Sequence, residues 1–322
     1  MTHEKGRYKV ERLLENLPAT LERFIAEVTR ITAEVPNRIR IIEEIKPRFA
    51  ELLADRTFLA KQYKQVVPNK FAQYALYRAA DRSLSIMSMV VSPGTTTPVH
   101  DHLAWGLVGV YEGIQKETIY RRLDRGEQPG FADLEEVDTR ILRPGDITTL
   151  LPPDGDIHKI ETVSQTPSIS IHVLGNDIGC ELRHAYNPLQ KSVNPFRSGY
   201  QNEPCLRACF DHQHLIVAEA EETAAFYEAT FGAQKTEATE VAGVSAITLK
   251  MNGIDLVISQ QTHPHIGNHY GLVVDNLEMA VDELKSRGVE LLTEPVEHGK
   301  IKYVFIRDAA GNPVELLERN KP

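Results

Sequence analysis

The chain reads as a mainly β protein with helices, built in two parts. Helices lead into a small β barrel, and a second domain follows, made from one βαβββ unit used twice. Three observations carry this reading. Residues 8 to about 60 have helical apolar periodicity, residues 72–185 break into short apolar runs between Pro, Gly and Asp, and a strand–helix–strands order occurs twice after residue 206. The divisions expected are 1–186, a linker at 187–205, and 206–322.

Leu17, Leu21, Phe24, Ile25, Val28 and Ile31 recur at three- and four-residue spacing and give one apolar face. Pro18 suits a first helical turn, and Pro36 and Pro47 are expected to divide the remainder into shorter helices. Strands are expected at 83–91, 107–111, 117–121, 146–151 and 168–174. Residues 187–205 are polar, contain Pro and Gly, and lack periodicity, which reads as a linker. In the last third, His212-Gln-His-Leu-Ile-Val leads into a helix at 221–231, and His269-Tyr-Gly-Leu-Val-Val into one at 277–286. Each half then closes on a similar strand, Gly253-Ile-Asp-Leu-Val and Pro313-Val-Glu-Leu-Leu.

Composition removes several function classes. The 45 acidic against 36 basic residues (net −9) give no broad surface for nucleic acid or an anionic membrane. No apolar run approaches the roughly 18 residues of a membrane span. The first residues lack the apolar core of a secretion signal. Cys180, Cys205 and Cys209 are too few for a disulfide scaffold, and Cys205 and Cys209 read as ordinary thiols, so a cytoplasmic protein is expected. No phosphate-cradling loop, nucleophile elbow or dinucleotide fingerprint is present, so ATP and NAD chemistry is not expected. The 12 histidines cluster, which makes them the informative residues.

His100-Asp-His102 on a strand would point both imidazoles to one face. With Gly94, Gly113, Gly145, Pro153, Gly155 and His158 they form G-x5-H-x-H-x10-G followed by G-x7-P-x-G-x2-H. This resembles the two motifs of the cupins, which hold three metal ligands on neighbouring strands of a double-stranded β-helix barrel. Cupins usually add a Glu after three or four residues intervening beyond the second His, where this chain has Gly106 and Leu107. Three neutral imidazoles would leave Fe(II) its full charge and an open face, which favours an anionic ligand such as a thiolate beside O2. Pro93-Gly94, His100-Asp-His-Leu-Ala-Trp105 and Ser170-Ile-His172 look like the thiol dioxygenases, the family of cysteine and 3-mercaptopropionate dioxygenases, over roughly residues 60–185. The resemblance implies a Ser-x-His-x-Tyr relay beside the iron. Ser170 and His172 match its first members as candidate catalytic residues, but the third position is Leu174. Arg78 is the weak candidate for binding a substrate carboxylate.

In the last third, His212 and His269 open the first strand of each half, while Asp255 and Glu315 occupy equivalent later strands. This pattern, Phe226-Tyr227-x3-Phe231-Gly232 and Asp308-Ala-Ala-Gly311-Asn312-Pro-Val-Glu315 resemble the vicinal oxygen chelate superfamily of glyoxalase I, methylmalonyl-CoA epimerase and extradiol dioxygenases. The resemblance implies a divalent metal (Fe, Mn, Zn, Ni or Co) on His212, His269 and Glu315. Asp255 stands at the fourth position, where Glu or Gln is more typical, as ligand or base. His214, His263, His265 and His298 are left without a role.

The leading expectation is a metal-dependent dioxygenase that oxidises a small thiol with O2 to a sulfinate, its second domain processing a related metabolite. One alternative keeps the three-His iron but cleaves a carbon–carbon bond of an oxygen-chelating substrate. Another makes the second domain a non-catalytic binding or assembly module. The expected partners are the small thiol and O2, with no nucleic acid and no membrane; a homodimer is implied by resemblance only.

Overall fold

The computed structural model describes residues 17–153, 155–236, 239–241, 244–251, 253–260, 266–299 and 301–319. It separates into two compact units, Met1–Cys205 and Leu206–Pro322. The helical reading of residues 8–16 lies outside the described residues.

The first helices among the described residues of the first unit are α1 (Ala19–Glu34) and α2 (Arg38–Ala54). The apolar stripe of α1 is buried at Leu21, Phe24, Ile25, Val28 and Ile31. Asn37 starts α2 by accepting the Ile39 and Arg40 amides on its side-chain oxygen at 3.0 and 3.2 Å. Pro36 separates the helices as its restricted backbone requires, but Pro47 does not end α2. An interior proline costs about 3 kcal/mol. The same helix buries Ile41, Ile42, Ile45, Phe49, Leu52 and Leu53, each contributing about 1.5–3 kcal/mol, so packing overrides the local preference.

The strands that follow are β1 (Phe71–Arg78), β2 (Ser85–Val91), β3 (Val99–His100), β4 (Gly106–Glu112), β5 (Gln115–Arg122) and β6 (Leu134–Leu142). Then come β7 (Ile147–Leu150), β8 (Ile157–Thr162), β9 (Ser168–Leu174), β10 (Arg183–Asn187) and β11 (Ser192–Phe196). They form two sheets, ordered β1-β2-β9-β4-β7 and β11-β10-β3-β8-β5-β6. The first sheet is buried on both faces, which explains why β2 and β9 are buried at every residue. Ile86, Val90, Leu107, Tyr111, Ile169, Ile171 and Val173 pack against α1 and α2. The alternate residues turn toward the second sheet, where Met89 and Val91 meet Ile160 of β8.

Residues 187–205 are not a linker. They contain β11, and the segment after it is bound to the rest of the unit. Gln201 N donates to Gln73 O at 2.8 Å, and the Asn202 amide brackets Ala75, accepting from its N and donating to its O at 2.9 Å each. Tyr200 packs with Met87, Val108, Leu150 and Leu174. The stretch looks like a linker because its side chains are polar, yet hydrogen bonds, the Tyr200 contacts and the Arg78 bonds to Glu203 and Pro204 O hold it, and none of these leaves a periodic signal.

Cys205 is not an ordinary thiol. Cys180 and Cys205 form a disulfide across 25 residues of sequence, with Cα atoms 5.2 Å apart, while Cys209 is free and exposed. Two cysteines in different loops carry no pairing signal in sequence.

The second unit contains β12 (Ala208–Ile216), α3 (Ala220–Phe231), β13 (Gln234–Lys235), β14 (Thr239–Val241), β15 (Val244–Met251) and β16 (Ile254–Ser259). β17 (His269–Val274), α4 (Leu277–Ser286), β18 (Val296–His298), β19 (Ile301–Arg307) and β20 (Pro313–Arg319) complete it. Its sheet runs β13-β15-β16-β12-β17-β20-β19-β18, with β14 beside β15. β12 and β17 pair antiparallel at the centre, and each has a parallel neighbour outside it, β16 and β20. Asn276 caps α4 by accepting the Met279 amide at 2.8 Å, and Leu277, Ala280, Val281 and Leu284 pack on Val304, Val314 and Leu316.

A cross-link closing about 25 residues stabilises the fold by about 3.5 kcal/mol on chain-entropy grounds. Denatured, unreduced protein should therefore show one reactive thiol per chain, that of Cys209, and three after reduction. Three without reductant would disprove the Cys180–Cys205 bond.

Candidate metal centres

In the first unit, β3 is only two residues long and lies between β10 and β8, with His100 opposite His158 in register. His102 is not on the strand, as alternation predicts, but in the turn beyond it, where Leu103 adopts φ 57°. Asp156 brings His102 back. Its carboxylate accepts the His102 and Leu103 amides at 3.2 and 3.1 Å, and its carbonyl lies 3.0 Å from His102 Nδ1. The rings of His100, His102 and His158 stand pairwise 4.9 Å apart, centre to centre.

Each imidazole is held by an acceptor on its Nδ1. Pro98 O lies 2.9 Å from His100 Nδ1, Asp156 O takes His102, and Glu117 Oε1 lies 2.7 Å from His158 Nδ1. Those oxygens take the Nδ1 protons, so Nε2 carries the lone pair in all three rings. One ligand nitrogen from each falls within 4.8 Å of the others, and buried His158 Nε2 finds no hydrogen-bond partner among the described residues. A divalent ion fits this donor set and would satisfy the orphaned nitrogen; an acceptor behind each ligand is what such a site needs. Burial, with the neighbouring His and Arg183 charges, holds His100 and His102 well below their ordinary value, so both are neutral.

Ser170 and His172 lie on β9, with Ser170 Oγ 3.0 Å from His172 Nε2. Gln115 Nε2 donates to Ser168 Oγ at 3.1 Å and to Ser170 Oγ at 3.4 Å. Burial, then the charges of His158 and Arg183, lower His172 to about 3. Leu174 fills its position by packing on Gly106, where a Cβ would fall 2.5 Å from Leu174 Cδ2. Leu174 thus takes the space that a side chain at position 106 would need. Arg78 is excluded as a substrate anchor, because it pairs with Asp177 at 2.7–3.1 Å and also holds Glu203 and Pro204 O.

Arg183, which sequence reasoning missed, is 2% exposed and close enough for its charge to lower His100, His102 and His172. Nη1 donates to Asp101 O at 2.8 Å and Nη2 to Ser198 Oγ at 3.1 Å, while Nε has no partner among the described residues. Asp101 faces away from the triad, its carboxylate on His184 Nδ1 at 2.7 Å and Tyr186 Oη at 2.8 Å, beside an outer cavity of about 600 Å³.

In the second unit, His212 of β12 lies opposite Gly271 of β17, and Gly271 opposite Glu315 of β20. A Cβ at 271 would fall 2.3 Å from the His212 ring, so glycine there lets the imidazole lie across the middle strand. His212 Nε2 thereby comes 3.2 Å from Glu315 Oε2, and His269 Nε2 3.8 Å from the same oxygen. His212 Nδ1 lies 2.9 Å from Asp211 Oδ2, and Gly267 O lies 2.9 Å from His269 Nδ1. Burial alone would lower His212, but its hydrogen bonds to Asp211 and Glu315 outweigh that and push it up to about 9.

His214 joins this group. One ligand nitrogen each of His212, His214 and His269 lies within 4.8 Å of the others. The signal was available, since residues 212 and 214 share a strand face. Asp255 is opposite His212 in register, but its carboxylate rests on Lys250 Nζ at 2.8 and 3.1 Å. His298 is on exposed β18, and His263 and His265 lie outside the described residues.

Residues 210–316 match the model of the Glyoxalase/Bleomycin resistance protein/Dioxygenase superfamily, and they include His212, His214, His269 and Glu315. Among solved structures, the chain is similar to a hypothetical protein from Bacillus halodurans (18% identity, 36% of this chain and 96% of that one, TM-score 0.32). It is also similar to methylmalonyl-CoA epimerase from Mycobacterium tuberculosis (20% identity, 35% and 88%, TM-score 0.31). A third is Streptomyces coelicolor methylmalonyl-CoA epimerase in complex with 2-nitronate-propionyl-CoA (20%, 35% and 97%, TM-score 0.31). The family match places a glyoxalase-superfamily domain at residues 210–316 of the second unit.

The two clusters differ in resting charge, and this is measurable. At pH 7 His100 and His102 are already neutral, whereas His212, raised to about 9, carries a proton an ion must displace. Calorimetry in buffers of different ionisation enthalpy should give about one proton released per ion at the second cluster and far less at the first. Equal release from His100→Ala and His269→Ala variants would contradict this assignment. Separately, Glu117→Gln should weaken ion binding at the first cluster about 10- to 100-fold, read by chelator competition.

Proposed function

We propose that the chain is a metal-dependent enzyme whose first unit is a cupin of the thiol dioxygenase type, while its second works at another divalent metal on a related metabolite. The observation that carries the reading is the triangle of three imidazoles, each turned by an Nδ1 acceptor so that Nε2 is free for an ion. His100, His102 and His158 would hold Fe(II). Bound there, the iron supplies positions for a thiolate and O2 and a route for electrons between them.

The reaction is RS⁻ + O2 → RSO2⁻. Two S–O bonds form, the O–O bond breaks, and sulfur gives up the four electrons that O2 accepts. The thiol proton must leave to solvent, because His172, held near 3, is a poor base for it. His172 and Ser170 instead orient what binds beside the triad. Arg183 supplies the buried positive charge, and its unpartnered Nε–H suits an anionic group on the thiol.

One observation favours a second reading. The relay ends in Leu174, so no hydroxyl stands there to assist oxygen. A three-His iron centre of this kind also suits carbon–carbon cleavage of a substrate bound through two oxygens. Product mass separates the two, since a sulfinate gains two oxygens intact while cleavage gives two fragments.

Iron-loaded protein should consume O2 when given small thiols, and His102→Ala should abolish this. No stimulation by any thiol across a panel of acidic, basic and neutral members would sink the reading. Arg183→Met should raise KM for a carboxylate-bearing thiol about 10- to 100-fold, the worth of one charged hydrogen bond, while leaving an uncharged thiol unchanged. His269→Ala should leave thiol oxidation intact.

A further inference from the structure

We propose that His214 is a metal ligand of the second unit, through Nδ1, in the place where Asp255 was expected. The inference rests on the reading that this unit holds a divalent ion. Ser259 Oγ lies 2.9 Å from Gln260 O, which can only accept, and 2.8 Å from His214 Nε2. Ser259 has a single proton to give, and it goes to the carbonyl. His214 Nε2 must therefore donate to Ser259, which leaves its lone pair on Nδ1.

The backbone then fixes where that ring lies. His214 pairs directly with His269 across antiparallel β12 and β17, so the two side chains share a sheet face, with ring centres 4.7 Å apart. His212, two residues earlier on the same strand, shares that face too, 6.1 Å from His214. His214 is 2% exposed, so its free nitrogen faces the other two rings and not solvent. The three rings follow one rule: His212 gives Nδ1–H to Asp211, His269 gives Nδ1–H to Gly267 O, and His214 gives Nε2–H to Ser259. On the far side of the rings His212 Nε2 and His269 Nε2 both face Glu315 Oε2, and an ion bound there would displace the proton that His212 holds.

Asp255 has the opposite circumstances. It is half-exposed, one methylene shorter than Glu, and paired with Lys250, its register partner on β15. An exchange of Asp255 for His214 also changes the charge of the centre. A divalent ion on three neutral imidazoles and Glu315 keeps one net positive charge, whereas two imidazoles and two carboxylates would cancel it. Such a nitrogen-rich site prefers Co, Ni, Zn or Fe(II) over Mg or Ca, and it retains attraction for an anionic oxygen ligand.

The test titrates the full-length chain with Co(II), all samples carrying His100→Ala and His102→Ala to silence the first cluster. Affinity is read by chelator competition and coordination by visible absorption. His214→Ala and His214→Asn should each weaken binding about 100-fold or more and alter the cobalt bands, with unchanged circular dichroism. Ser259→Ala should weaken it about 10-fold, and Asp255→Asn should stay within about threefold of the parent with the same bands. His214 variants that match the parent, or an Asp255→Asn loss as large as theirs, would overturn the proposal. If His269→Ala abolishes binding while the His214 variants do not, the metal centre stands and His214 is no ligand. If the parent binds no Co(II), the metal reading of this unit falls as well.

Discussion

A strand of two residues carries the first centre. Val99 and His100 are paired on both sides, to Tyr186 and Ala185 of β10 and, through His100, to His158 of β8. That double pairing makes His100 and His158 neighbours on one face, and the short length of the strand frees the next residues to turn. His102 can then swing round onto Asp156 and complete the triangle. A longer β3 would have kept His102 a full two-residue step along the strand, about 7 Å from His100. Arg183, at the start of β10, also depends on this arrangement, because its guanidinium is tied to the carbonyl of Asp101 just beyond the strand.

The two centres solve the same problem by opposite electrostatics. In the first, burial and a nearby arginine keep imidazoles uncharged. In the second, His212 is wedged between the carboxylates of Asp211 and Glu315 and keeps a proton where the ion would go. Linkage gives the stability consequences. Groups lowered below 6.5, such as His172 and His214, contribute stability that is lost as pH falls from 6.5 toward 3. His212, raised to about 9, contributes stability that is present below 6.5 and lost as pH rises from 6.5 through 9.

Much of this was legible in the residues. The glycine-bounded spacing of His100, His102 and His158 named a cluster the fold does assemble, and His212, His269 and Glu315 also converge. Strand positions at β2, β4, β5, β7 and β9 followed from β-branched runs between turn residues. What escaped depends on register between distant segments. His214 gains its neighbour only because β12 aligns it with His269, and Arg183 reaches the triad only because β10 lies beside β3. Pro47 misled for a different reason, since local propensity was weighed without the burial that opposes it. Cys205 looked free because a disulfide between distant loops leaves no pairing signal, and the polar residues before it because hydrogen bonds to backbone leave no pattern in composition.

That last segment has a meaning beyond holding the unit closed. β1 is an outer strand of its sheet, and an outer strand presents a row of unsatisfied amides and carbonyls on which another chain can build. Gln201 and the side chain of Asn202 engage that margin at Gln73 and Ala75. The tail of the first unit therefore occupies part of the margin on which a further strand would pair. The polar character that makes these residues look dispensable is what lets them cover that margin without offering a sticky surface of their own.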